Sequence, residues 1–128
     1  MPIQYSLIQR VNPKDTTAAR KFYAIAKSSG EETTRQLASE ISKRNGLSTA
    51  DVFAVLEAFI DLIPERLADG KIVRLGDFGS FSLTLSSEGT ATAEEFTSAL
   101  IKGNSLNFRP GKLIQKALDT VDYAKVSD

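Results

Sequence analysis

Few residues in this chain have the types and spacing to do chemistry. Its 128 residues include 16 Lys and Arg and 16 Asp and Glu, but no histidine and no cysteine. Without histidine, hydrolytic triads, imidazole-bearing zinc sites and imidazole acid–base steps are excluded. Without cysteine, disulfides, thiolate metal sites and thiol nucleophiles go together. Glu94-Glu95 is the nearest approach to a carboxylate pair. Adjacent residues on one turn diverge, and no partner ligands lie nearby in the sequence, so neither acid–base nor metal work is expected of them. Anion binding is the chemistry left. The net charge is zero, whereas a nucleic-acid binder usually has a basic surplus. The charge is uneven, however. Residues 1–30 hold five basic and one acidic side chain (+4), and residues 31–70 hold four and eight (−4). Residues 71–81 hold two and one (+1), 82–108 one and three (−2), and 109–128 four and three (+1). Any phosphate-binding surface is therefore local, at the N-terminus or around Arg74, Arg109 and Lys112.

The elements that would position those cations can be read from composition and periodicity. The length suits one domain with a single core, and 41% apolar with 25% charged residues is ordinary for a globular protein. No apolar run nears the roughly 18–20 residues that span a membrane. The opening MPIQYSLIQR shows neither the charged region nor the apolar stretch of a signal peptide. A cytoplasmic protein without catalytic residues, cofactor, metal or small-molecule substrate is expected.

Residues 3–11 and 20–27 have strand composition, and Asn12-Pro13-Lys14-Asp15 signals a turn between them. An antiparallel N-terminal pair results, expected mainly to shield the core, with Lys14, Arg20 and Lys21 solvated around the turn. A direct binding arm is the alternative. Thr33-x-x-Gln36 matches a capping box, and a helix of about three turns follows to Asn45-Gly46. Ser48 caps a second helix with Asp51 in its first turn, ending at Asp69-Gly70. Val52, Leu56, Phe59 and Ile63 form one apolar row of this helix, and Phe53, Ile60 and Leu67 another. That exceeds the roughly 100° arc a surface helix needs, so burial on two sides is expected, the second side against another copy of the chain or, alternatively, under the N-terminal strand pair. Pro64 should kink it. Ile72–Leu75 and Phe78–Leu85 read as strands around Gly76-Asp77-Phe78-Gly79. A small, polar stretch runs from Ser86 to Gly103, with Thr92-x-x-Glu95 as a capping signal for one short turn. A strand at Leu106–Phe108, a helix opened by Pro110, and a short strand at Tyr123–Val126 complete the chain.

Gly46-Leu47-Ser48, Phe59-Ile60-Asp61, Gly70-Lys71, Val73-x-Leu75, Phe78-Gly79-Ser80-Phe81-Ser82-Leu83 and Phe108-Arg109-Pro110-Gly111-Lys112 together resemble the HU/IHF family of bacterial histone-like DNA-binding proteins. The resemblance covers roughly residues 33–118, and its specific part is the Gly-Ser-Phe-Ser-Leu and Phe-Arg-Pro-Gly-Lys blocks. It implies an α+β fold: two helices under a β-hairpin saddle, an arm at residues 86–104 and a short C-terminal helix at 110–120. The N-terminal strand pair of residues 1–30 would be an extension, with residues 31–128 as the HU-like DNA-binding domain.

The resemblance also implies an intertwined homodimer with Leu56, Phe59, Phe78, Phe81 and Phe108 in its core, located in the cytoplasm at the nucleoid. Arg74, Ser80, Lys102, Arg109, Lys112 and Lys116 would contact duplex DNA, mainly at phosphates and with little base readout. The chain departs from the family pattern in three ways. Asp77 stands where glycine is usual. The arm has no Arg-rich stretch and no Asn-Pro tip; it carries Glu88, Glu94 and Glu95 against Lys102 alone. The net charge is neutral, which favours weak, salt-sensitive binding through the saddle. The alternative function is an HU-fold scaffold for protein–protein contact. Phe78 and Phe81 are expected in the core and not as base-stacking platforms. Asp77-Phe78-Gly79 also matches the metal-binding triplet of protein kinases, an accident in a chain lacking their other motifs.

Overall fold

The computed structural model describes residues 2–11 and 13–126. Asn12 of the expected turn, together with Met1, Ser127 and Asp128 of the expected segments, lies outside the described residues. Two compact units form. One comprises Met1–Thr33 with Ala117–Asp128, and the other is Thr34–Lys116.

In the first unit, β1 (Ile3–Arg10) pairs antiparallel with β2 (Lys21–Lys27), in a register running from Gln4 opposite Lys27 to Arg10 opposite Lys21. In the connecting turn the Asp15 carboxylate accepts from the Thr17 backbone N–H at 3.0 Å and from its hydroxyl at 2.6 Å. These bonds, the hydroxyl's foremost, hold the Asp15 carboxyl below its ordinary pKa.

In the second unit, α1 (Thr34–Asn45) packs on α2 (Thr49–Ala68). The helices begin and end where the sequence puts their caps. Ser48 accepts from the Asp51 backbone N–H at 3.1 Å, and Gly46 donates back to the Ser42 carbonyl at 2.9 Å. The second helix continues through Pro64 to Ala68. Val52 and Leu67 are buried, and Phe53 is half-buried beneath the Arg35 guanidinium, 5.0 Å from its ring centroid. Val55, Phe59 and Leu62, at i, i+4 and i+7, form a separate stripe with exposures of 67%, 43% and 45%. The two-sided apolar helix thus has one side covered by its own chain.

A three-stranded sheet follows in the order β3 (Val73–Arg74), β4 (Gly79–Ser87) and β5 (Ile101–Pro110), antiparallel throughout. Both long strands extend into the small, polar stretch, where Ser86 pairs with Gly103 and Ser87 with Ile101; the register shifts at Ser86/Ser87. Beyond it lie two short 3₁₀ turns, Ala93–Glu95 and Ser98–Leu100. Thr92 precedes the first turn without capping it through its side chain.

One expectation is corrected. Pro110 ends β5 opposite Gly79 and does not open the last helix, α3, which spans Lys112–Asp119. Its first-turn bond runs from the Gln115 backbone N–H to the Gly111 carbonyl, so the cap falls on Gly111. In the tail, β6 (Tyr123–Lys125) lies parallel to β1, giving the order β2-β1-β6. Among the described residues, no helix is long and apolar enough to cross a membrane, and no cluster of carboxylates could hold a metal ion.

Candidate nucleic-acid interface

The β3–β4–β5 sheet sorts its side chains by alternation. Ser80 on the central strand is opposite Arg74 on one neighbour and Arg109 on the other. Residues directly opposite each other share a face, so Arg74, Ser80 and Arg109 form one row across the sheet. One position along, Phe81 is opposite both Val73 and Phe108, and this row takes the other face. There the Phe81 and Phe108 rings lie 4.8 Å apart and tilted, and Phe78 joins Phe108 at 5.8 Å. The cations and the aromatic cluster are therefore held on opposite sides of one thin sheet.

Backbone contacts fix the end of that sheet. Gly76-Asp77-Phe78 forms a 3₁₀ turn, closed by Phe78 N–H to the Leu75 carbonyl at 3.1 Å and Leu75 N–H to the Gly79 carbonyl at 2.9 Å. The Gly111 N–H donates to the Phe78 carbonyl at 2.9 Å. A Cβ at Gly111 would stand 2.6 Å from the Asp77 carbonyl carbon; one at Gly79, where φ is +146°, would stand 2.6 Å from the Arg109 carbonyl oxygen. Both positions need the bare backbone of glycine. The turn carrying Asp77 is thereby packed against Pro110-Gly111.

A shallow concavity of about 230 Å³ opens beside the row, lined by Arg74, Gly76, Gly79, Ser80, Arg109, Pro110 and Gly111. Two cations and one hydroxyl face it, with no acidic side chain in the lining. Of the expected contact residues, the fold brings Arg74, Ser80 and Arg109 together. Lys112 and Lys116 lie one helical turn apart on α3. Lys102 stands apart from them on β5, its Nζ 3.5 Å from a Glu88 carboxylate oxygen, with both side chains mostly exposed. Reading residue types alone missed Gly79 and Gly111 as the pieces that seat the row. Their signal was present in the two matched glycine-bearing blocks, Phe78-Gly79-Ser80 and Arg109-Pro110-Gly111.

Of the expected apolar core, Leu56 and Phe81 are half-buried, while Phe59, Phe78 and Phe108 remain exposed at 43%, 44% and 36%. Among the described residues, the buried apolar side chains are Ala38, Val52 and Leu67.

A family model for an HU domain fused to a wHTH, Ig, or glycine-rich motif, designated HU-HIG, matches residues 1–125. The chain belongs to the HU/IHF family. This HU-family chain is 31% identical over 91 residues to the integration host factor subunit alpha of Colwellia psychrerythraea, covering 68% of the chain and 92% of the relative. It is 32% identical over 97 residues to the same subunit of Paramagnetospirillum magneticum, covering 73% and 90%. Solved structures share its fold. A Bacteroides vulgatus protein assigned as a bacterial DNA-binding protein superposes with a TM-score of 0.61 at 14% identity, over 98% of the chain. This chain spans about half, 49%, of that protein's length. The Anabaena HU–DNA cocrystal structure matches with a TM-score of 0.55 at 19% identity, covering 70% of the chain and 99% of the Anabaena protein. An HU variant from Thermotoga maritima matches at 0.51 and 23%, covering 68% and 99%.

Proposed function

We propose that this HU-family chain is an architectural DNA-binding protein that works as a homodimer and holds duplex DNA mainly by its phosphate backbone, with little sequence preference. The observation that carries the reading is the Arg74–Ser80–Arg109 row, two cations and a hydroxyl on one sheet face beside a concavity without acidic lining. Guanidinium groups suit phosphate oxygens because their N–H donors form a planar fork. Backbone contacts position a protein on a duplex without reading its bases. Lys112 and Lys116, on α3 after Gly111, add two further cations. The relatives' names, integration host factor and HU, support the same function.

Lys102 contributes less to this reading, because Glu88 already partners its charge. With Glu94 and Glu95 also in the arm, the arm brings no net positive charge to a phosphate. Binding is assigned to the sheet, and wedge-driven bending by the arm is not part of the proposal.

The second copy is supported by the apolar surface left over. The Val55–Phe59–Leu62 stripe of α2 and the Phe78–Phe108 edge of the aromatic cluster leave large apolar side chains 36% to 67% exposed, the kind of surface that marks a protein–protein interface. A symmetric pair would cover both at once.

The test is a fluorescence anisotropy titration of the whole chain with duplex DNA across a salt series. Binding that weakens steeply as salt rises supports phosphate contact. No binding at low salt overturns the proposal.

A further inference from the structure

The first unit carries a charged face of its own. Along β1 and β2 the register sets Arg10 opposite Lys21, Ile8 opposite Tyr23, Ser6 opposite Ile25, and Gln4 opposite Lys27. All eight share one side of the sheet, since alternate residues of a strand point the same way. The other side takes Tyr5, Leu7, Gln9, Phe22, Ala24 and Ala26, so every basic side chain of the two strands stands on the first side. Neither strand contains an acidic residue. The Arg10 guanidinium lies 5.8 Å from the centroid of the Tyr23 ring. That stacking orients the cation and leaves its N–H groups unspent.

Next to this pair the surface is concave. A hollow of about 560 Å³ is lined by Arg10, Val11, Pro13, Ala18, Ala19, Lys21 and Tyr23. It holds two cations and an aromatic ring, and no acid. The one acidic residue of the neighbouring turn, Asp15, has its carboxylate engaged by Thr17. Lys27 stands six residues along β2 from Lys21, roughly 20 Å at the rise of a strand. Tyr23 and Ile25 between them are 46% and 41% exposed. Cations at both ends of a strand, with an exposed ring between, suit an extended polyanion better than a compact one.

We propose that the Arg10–Lys21–Tyr23–Lys27 face of the N-terminal sheet is a second duplex-DNA contact, taking backbone phosphates independently of the Arg74–Arg109 row. It rests on the DNA-binding reading above for the identity of the polyanion. Charge complementarity argues for it: this face holds three of the cations that give residues 1–30 their surplus of four in a chain of zero net charge.

The experiment compares three forms of the full chain by anisotropy against one duplex across a salt series. These are the parent, Lys21→Gln with Lys27→Gln, and Arg74→Gln with Arg109→Gln. Both lysines are exposed, so an unchanged thermal melt should confirm folding. The plot of log affinity against log salt should flatten in the lysine variant by about 0.9 for each phosphate that is no longer neutralised. The arginine variant should retain residual, salt-dependent binding. A lysine variant with the parent's slope overturns the second surface and leaves the Arg74–Arg109 reading standing. A parent that does not bind the duplex at low salt overturns both.

Discussion

Gly111 donates its backbone N–H to the Phe78 carbonyl at 2.9 Å, and this bond seats the start of α3 on the turn between β3 and β4. Close approach there depends on a missing side chain, since a Cβ on Gly111 would meet the Asp77 carbonyl group and crowd the Gly79 nitrogen at 3.0 Å. The backbone on both sides is fixed by hydrogen bonds, so it cannot give way cheaply. Gly111→Ala should destabilise the chain by about 1–3 kcal/mol, the usual range for overpacking, as a lower midpoint in urea unfolding. An unchanged midpoint would mean that the two segments are not held together as described.

Removing the paired cations should change salt dependence more than fold. Arg74 and Arg109 flank Ser80 across the sheet and both are exposed, so the fold should survive loss of their guanidinium groups. Arg74→Gln with Arg109→Gln should lower the steepness of the salt plot by about 0.9 per phosphate released. Anisotropy at four or five salt concentrations reads this directly.

The exposed stripe of α2 predicts the oligomeric state. Light scattering at micromolar concentration should give a mass near twice 13.9 kDa. Phe59→Asp would place a charge in the stripe, and the mass should fall toward that of one chain while circular dichroism still shows helix. Val55→Asp provides a second reading should Phe59→Asp fail to fold. A parent that is monomeric at these concentrations removes the dimer.

The cap of α2 should be measurable by itself. Ser48 accepts from the Asp51 N–H at 3.1 Å, and Ser48→Ala leaves that donor without its side-chain partner. The expected loss is about 1 kcal/mol. Ser48→Asp should recover most of it, because the carboxylate both accepts the bond and favours the positive end of the helix.

Asp15 gives a pH signature. Its carboxyl is held below the ordinary value, chiefly by the Thr17 hydroxyl and then by backbone N–H bonds. A depressed folded-state pKa stabilises the turn above the unfolded value, and the contribution fades as pH falls through the folded one. Carboxyl chemical shifts should therefore show Asp15 titrating below an ordinary aspartate. In Thr17→Val, which keeps the backbone donor and removes the hydroxyl, the midpoint should rise.

The sequence by itself determined whatever depends on neighbours in the chain. Ser48 and Asn45-Gly46 delimit the helices because caps act within one turn. The double apolar pattern of α2 is likewise a local periodicity, but the exposed Val55–Phe59–Leu62 stripe shares only Phe59 with the two rows read from it. The two glycine-bearing blocks carried the family, and the resemblance made Arg74, Ser80, Lys102, Arg109, Lys112 and Lys116 the expected DNA contacts, without saying which of them share a face.

What only the tertiary structure decided involves partners far apart in sequence. Pro110 looked like a helix start because its missing N–H is harmless there, but the same property suits the last residue of a strand, and pairing with Gly79 chose the strand. The tail at Tyr123–Lys125 had strand composition, yet nothing in it specified a parallel partner more than a hundred residues away in β1. The Arg10–Lys21 face was also hidden, because it exists only once the β1–β2 register is set. Period-two alternation says which residues share a face, and register decides which cations meet across it.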